Sequence, residues 1–179
     1  MLLPRRKVPE LDLPLVDGSR FSLSGENAKR GTLVTIYRGL HCPVCIRYLK
    51  DLDRLTPAFA ERGVSTIALS SDDADRAQGM ADKVEPDHLR IAYDFSLEAA
   101  KDWGLWFSRG REGKSSTGVE EPAVFPEPGL FLINPDGTLY FASVQTMPFA
   151  RPAFDEVLKA VDFVIDRDYP ARGEHVFQS

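Results

Sequence analysis

The sequence predicts an α/β fold, a mixed β-sheet flanked by helices on both faces. Three observations carry this. Two β-branched, nearly all-apolar runs, residues 32–37 and 64–69, are separated by a helical pattern. Such runs suit strands buried on both faces and joined in parallel through a crossover. A third short run, residues 91–94, follows another helical stretch, extending the β-α-β rhythm. Late in the chain, residues 130–133 and 138–144 flank the tight turn Asn134-Pro135-Asp136-Gly137, which adds antiparallel strands.

Each element has its own signal. Residues 1–13 open with prolines and charges and read as an extended arm, with Arg5-Arg6-Lys7 as a solvated basic run. Asp17-Gly18 is a turn signal, and Arg20-Phe21-Ser22-Leu23 alternates after it, predicting an N-terminal hairpin. The first helix begins at Cys42-Pro43 and carries Leu49, Leu52, Leu55 and Phe59 at helical spacing, with Gly63 to end it. Asp72, Asp73 and Asp75 form an acidic helix start, explained by the helix dipole rather than by a metal. Ser96 is placed as the N-cap of a helix carrying Leu97, Ala100 and Trp103. Residues 108–126, with three glycines and two prolines, break the rhythm and read as a loop insertion ending near the cysteines. Residues 152–166 form the last helix, with Phe154, Val157, Leu158, Val161 and Val164 inward.

With 179 residues the chain is long enough for one domain over 1–179 and short for two. A net charge of −5 gives no reason to expect nucleic acid or an anionic membrane surface as a partner. The start lacks the apolar stretch of about 7–15 residues that a secretory signal needs, so the expected location is cytoplasmic. The only two cysteines, Cys42 and Cys45, are three positions apart. In a reducing compartment such a pair is catalytic or metal-binding more often than structural.

The chemistry is expected at Cys42-Pro43-Val44-Cys45, between a buried strand and a helix. A helix start offers unpaired backbone N–H groups and the positive end of the dipole, which favour a thiolate. Pro43 suits the first helical position, where a missing N–H is no loss. That makes Cys42 the N-cap with an exposed sulfur, and Cys45 lies one turn inside. His41 and Arg38 are expected to supply positive charge beside the pair. Metal binding is the competing reading, but no second CxxC exists and His41 is awkwardly placed for one tetrahedron. An inert buried pair is the other. His88 and His175 read as loop and tail residues, and Trp103, Trp106 and Phe107 as core or pocket wall.

At Tyr37-Arg38-Gly39-Leu40-His41-Cys42-Pro43-Val44-Cys45 the sequence resembles the thioredoxin-like superfamily. More narrowly, it is similar to the alkyl hydroperoxide reductase/thiol-specific antioxidant (AhpC/TSA, peroxiredoxin-like) family. Val8-Pro9 through Leu23 resembles that family's opening arm and hairpin, and residues 131–137 its late strand and turn. The family's proline–threonine–cysteine motif, laid on without gaps, puts its reactive cysteine on Cys45. The Cys-Pro dipeptide of other members puts it on Cys42, and Cys42 is taken as the first nucleophile. Where the family has an arginine before the late strand, this chain has Pro128. Thioredoxins carry a cis-proline there, so Pro128 is expected to be cis and to face the cysteines, with Arg38 standing in for the arginine.

The resemblance implies a thiol-dependent oxidoreductase with an antioxidant role. It would reduce a peroxide or a disulfide through a Cys42–Cys45 dithiol/disulfide cycle, reset by an external thioredoxin- or glutathione-type thiol. No metal or organic cofactor is implied, and a homodimer is allowed. Dithiol–disulfide exchange on proteins, and a catalytically idle binding module, are the alternatives.

Overall fold

The computed structural model describes residues 2–177. Its centre is a five-stranded sheet in the order β5-β4-β3-β8-β9. Strands β3 (Gly31–Ile36), β4 (Val64–Leu69) and β5 (Arg90–Ala92) run parallel. Strands β8 (Gly129–Ile133) and β9 (Leu139–Val144) complete the sheet antiparallel. The mixed sheet expected from the sequence is therefore present.

Side chains alternate across β3. Leu33 joins one buried cluster and Val34 and Ile36 the other, which is why this strand reads as unbroken apolar sequence. The first cluster lies under α1 (Pro43–Glu61), α2 (Ala74–Val84) and α4 (Phe154–Arg167). The second lies under α3 (Leu97–Asp102), where Trp103 meets Phe131 edge-on at 5.0 Å.

Helix α1 forms where its pattern places it. Cys45, Leu49, Leu52, Leu55 and Phe59 make its buried stripe, and Gly63 follows at φ +76°, a conformation glycine adopts without strain. Asp73 caps α2 by accepting the Arg76 N–H at 2.9 Å, and Ser96 caps α3 by accepting that of Ala99 at 3.1 Å.

The arm is docked through its backbone, while Arg5, Arg6 and Lys7 stay exposed as expected. Arg5 N–H donates to Leu139 O at 2.8 Å, and Val8 N–H to Gly137 O at 3.1 Å. Arg5 also reaches Ala171 O and Glu174. Beyond it, β1 (Asp12–Pro14) and β2 (Arg20–Ser22) pair as the expected hairpin. Residues 108–126 hold more order than their glycine and proline content predicts. Strands β6 (Phe107–Arg109) and β7 (Val124–Pro126) pair antiparallel and make the segment a hairpin. Its buried anchor, Phe125, supplies the apolar contact the charged middle lacks.

Ile36 pairs with Gly129, and Gly129 with Val144. The C-terminal ends of β3 and β9 thus lie at one edge of the sheet, and the chain segments leaving them meet there. No helix among the described residues is long and apolar enough to cross a membrane.

Candidate active site

The segment leaving β3 is tightly specified. Gly39 sits at φ +134°, and a Cβ there would come within 2.8 Å of Asp72 Oδ1. Leu40 N–H donates to Asp72 Oδ2 at 2.7 Å, and Cys42 N–H to Gly39 O at 3.0 Å. Cys42 is the N-cap of α1 in extended conformation, with Pro43 opening the helix. Cys45 N–H donates back to Cys42 O at 3.1 Å. N-cap cysteine, proline and a second cysteine one turn on are thus arranged as the spacing predicts.

The sulfur of Cys42, however, is not exposed. Cys42 is 2% accessible and Cys45 0%, and both thiols are free. Both sulfurs belong to the buried cluster under α1, and Arg151, from the link between β9 and α4, lies against them. Its Nη2 lies 3.2 Å from Cys45 Sγ and 3.8 Å from Cys42 Sγ. Its guanidinium stands 5.1 Å from the centre of the Tyr48 ring, and Tyr48 Oη donates to Pro152 O at 2.7 Å. Arg151 Nε donates to Pro148 O at 2.5 Å. The link is thereby strapped over the first turn of α1.

The two sulfurs differ in their affinity for the proton. Hydrogen bonds from the Cys45 thiol and the Cys45 N–H, then the Arg151 and Arg38 charges, hold Cys42 down at about 5 against the cost of burial. Complete burial, reinforced by the Cys42 thiolate, pushes Cys45 well above the ordinary thiol range, although Arg151 opposes this. The pair thus holds one proton at neutral pH, on Cys45, and one negative charge, on Cys42. Arg151 is nearer Cys45, yet Cys42 carries the charge because complete burial keeps the proton on Cys45, whose thiol then serves Cys42 as a donor.

His41 corrects the expectation of a second cation. Burial first, then the Arg38 charge, lower its pKa to about 4, so it is neutral at pH 7. Its ring packs on Phe125 at 4.6 Å, and Arg76 Nη2 lies 3.4 Å from Nδ1. Since a guanidinium can only donate, Nδ1 accepts and Nε2 carries the hydrogen. That Nε2 is buried without a partner among the described residues. Arg38 does supply positive charge to Cys42, as expected, while its direct partners lie elsewhere. It pairs with Glu127 at 3.3 Å and Glu121 at 3.9 Å, and lies 4.7 Å from the centre of the Phe125 ring.

Pro128 also departs from expectation. No peptide bond among the described residues is cis. The chain runs extended through this point, with Glu127 N–H donating to Trp106 O at 2.7 Å and Gln145 N–H to Pro128 O at 3.0 Å. The linkage between β7 and β8 is thus trans, the ordinary form of an X–Pro bond. Pro128 still lies at the sheet edge where β3 ends, because the next residue pairs with Ile36.

Sequence reasoning missed Arg151, 106 residues from Cys45. Its signal was topological, since a cation just after β9 must lie at the edge where α1 begins. It also read Asp72 as an ordinary helix-start acid, whereas that carboxylate is buried against the Gly39-Leu40 turn. Beside the pair, Val44, Tyr48, Phe149 and Arg151 line a shallow groove of about 290 Å³. No cluster of three or more His, Cys, Asp or Glu exists among the described residues to hold a metal.

A family model described as the AhpC/TSA family matches residues 4–142. No curated protein matches. Among solved structures, the fold is similar to peroxidoxin BcpB from Mycobacterium tuberculosis, with TM-score 0.69, 19% identity, 92% of this chain and 99% of that one covered. It is also similar to the reduced 2-Cys peroxiredoxin of Plasmodium vivax, with TM-score 0.73, 18% identity and coverage of 94% and 84%. Enterococcus faecalis AhpC gives TM-score 0.72, 17% identity and coverage of 96% and 99%.

Proposed function

From the premise that this chain belongs to the AhpC/TSA family, we infer that it is a thiol-dependent peroxidase that cycles through a Cys42–Cys45 disulfide. The observation that carries the cycle is the pair of free sulfurs that share one guanidinium, with Arg151 Nη2 at 3.8 Å from Cys42 Sγ and 3.2 Å from Cys45 Sγ. In this reading the Cys42 thiolate attacks the nearer peroxide oxygen. The O–O bond breaks, Cys42 becomes a sulfenic acid, and the departing alkoxide or hydroxide takes a proton. Arg151 stabilises both the thiolate before attack and the negative charge that moves to oxygen. The Cys45 thiol then attacks the sulfenic sulfur, forming the disulfide and releasing water. Two electrons from a thioredoxin- or glutathione-type thiol restore the pair, in a cytoplasmic, homodimeric enzyme.

A second assignment starts at Cys45, and the 3.2 Å contact with Arg151 favours it. Full burial of that sulfur and its retained proton weigh against it. Protein disulfide exchange is the alternative activity. The intact CxxC at a helix start favours it, and the depth of both sulfurs opposes it. Peroxide consumption with a thiol donor, run beside reduction of a protein disulfide, tests the proposal. Turnover of hydrogen peroxide without disulfide reduction supports it. The reverse result supports exchange, and no turnover in either assay supports an idle binding module.

A further inference from the structure

We propose that Asp72 and Arg76 are positioning residues for the Cys42 thiolate, forming a buried clamp that fixes the Arg38–Cys42 turn from below. The proposal deepens the peroxidase reading and rests on it for its rate measurement alone.

Asp72 lies after β4, just before α2, and is 3% exposed. A buried carboxylate is costly unless its oxygens are satisfied, and here each has a partner. Oδ2 accepts the Leu40 N–H at 2.7 Å, and Oδ1 accepts Arg76 Nε at 2.8 Å. Gly39 is pressed so close that any side chain there would strike the carboxylate. Two residues on, Gly39 O accepts the N–H of Cys42. The carboxylate therefore sets the position of the turn from which the N-cap cysteine is hung.

Arg76 ties this clamp to two further segments. Its Nη2 reaches His41 Nδ1 at 3.4 Å, and its Nη1 reaches Glu120 O, in the β6–β7 hairpin, at 3.3 Å. One side chain thus holds the turn, the ring beside Cys42 and the hairpin whose Phe125 packs on that ring. None of these groups touches a sulfur, so their action passes through backbone geometry. The low proton affinity of Cys42 depends on its alignment with the helix start and with Cys45. Hydrogen bonds weaken steeply as their angle degrades, so a loosened turn costs thiolate character without removing any charge from the pair.

The test uses Asp72→Asn, which keeps an acceptor for Leu40 N–H but loses the charge that holds Arg76. It also uses Gly39→Ala, which keeps Asp72 and displaces it by contact. Each is made in the full chain and again with Cys45→Ser, where the alkylation rate of Cys42 against pH gives its midpoint. Circular dichroism and thermal midpoints confirm folding. We expect both folded variants to raise the Cys42 midpoint by about one pH unit and, because a midpoint near 6 still leaves the thiolate dominant at pH 7, to lower the second-order rate with hydrogen peroxide about fivefold when it is measured at pH 5. Arg76→Lys, which keeps the charge but not the three-way fork, should show a smaller shift in the same direction. If Asp72→Asn is folded with its midpoint within about 0.2 pH units of the parent and its rate within twofold, the clamp has no positioning role. If Asp72→Asn does not fold, Gly39→Ala decides by the same two criteria. A parent chain that fails to consume peroxide refutes the peroxidase reading. The alkylation midpoints still decide the clamp.

Discussion

Replacing Arg151 by methionine isolates the charge that the structure places beside both sulfurs. Methionine keeps much of the length and the contact with Tyr48 while removing the cation. At the 3.8 Å separation from Cys42 Sγ, an effective dielectric of about 20 makes the attraction roughly 4 kcal/mol. Arg151 is only half-buried, and screening by water brings the lower bound to about 1 kcal/mol. At 1.36 kcal/mol per pH unit, the Cys42 midpoint should rise by about one to three pH units from its value near 5. The assay is alkylation rate against pH in the Cys45→Ser background, where the serine hydroxyl retains a donor toward Cys42. Because the thiolate is the reactive form, the peroxide rate at pH 7 should fall in the same variant. A midpoint within about 0.3 pH units of the parent would refute the idea that Arg151 holds the thiolate.

Two further outcomes follow from charges near the turn. His41 is held at about 4 against an ordinary 6.5, so the unfolded chain binds a proton first as pH falls. Stability should therefore drop between pH 6.5 and 4 by up to about 3 kcal/mol and level off below that. Urea unfolding across this range should show the slope, and His41→Gln should reduce it, leaving above pH 5 the part due to Cys42, whose thiolate takes up a proton on unfolding. Glu127 and Arg38 are nearly buried, with 5% and 14% side-chain exposure. Glu127→Ala leaves the Arg38 charge only the more distant Glu121 and frees the Ser108 hydroxyl. It should destabilise the fold by about 3–5 kcal/mol in urea titration, and a loss under 1 kcal/mol would mean solvent already screens the pair.

The sheet, the first helix and its N-cap cysteine were legible because local chemistry decides them. Val34 and Ile36 had to be buried, Pro43 had to open a helix, and Gly63 had to end one. What escaped was set by tertiary contact. His41 beside a thiolate reads as a cation, and only its burial against Phe125 makes it neutral. Pro128 reads as a cis-proline by position, yet its peptide bond has the ordinary trans form. Arg151 carries no local signal, since its role depends on two antiparallel steps across the sheet that bring the end of β9 beside α1. The hairpin in residues 108–126 was hidden for a similar reason. Its glycines and prolines sit between short strands, of which β7 buries Phe125 and Pro126.

The central claim is that Cys42 attacks and Cys45 resolves. Intact mass after one equivalent of hydrogen peroxide tests it most directly. The reduced wild-type chain should lose about 2 Da as the disulfide forms. Cys45→Ser should gain about 16 Da on Cys42 as a sulfenic acid, and added dione reagent should convert that species to the heavier thioether adduct. Cys42→Ser should leave Cys45 unoxidised on the same timescale. If Cys42→Ser instead forms the sulfenic acid on Cys45 at the wild-type rate, the order of the two cysteines is reversed and the account fails.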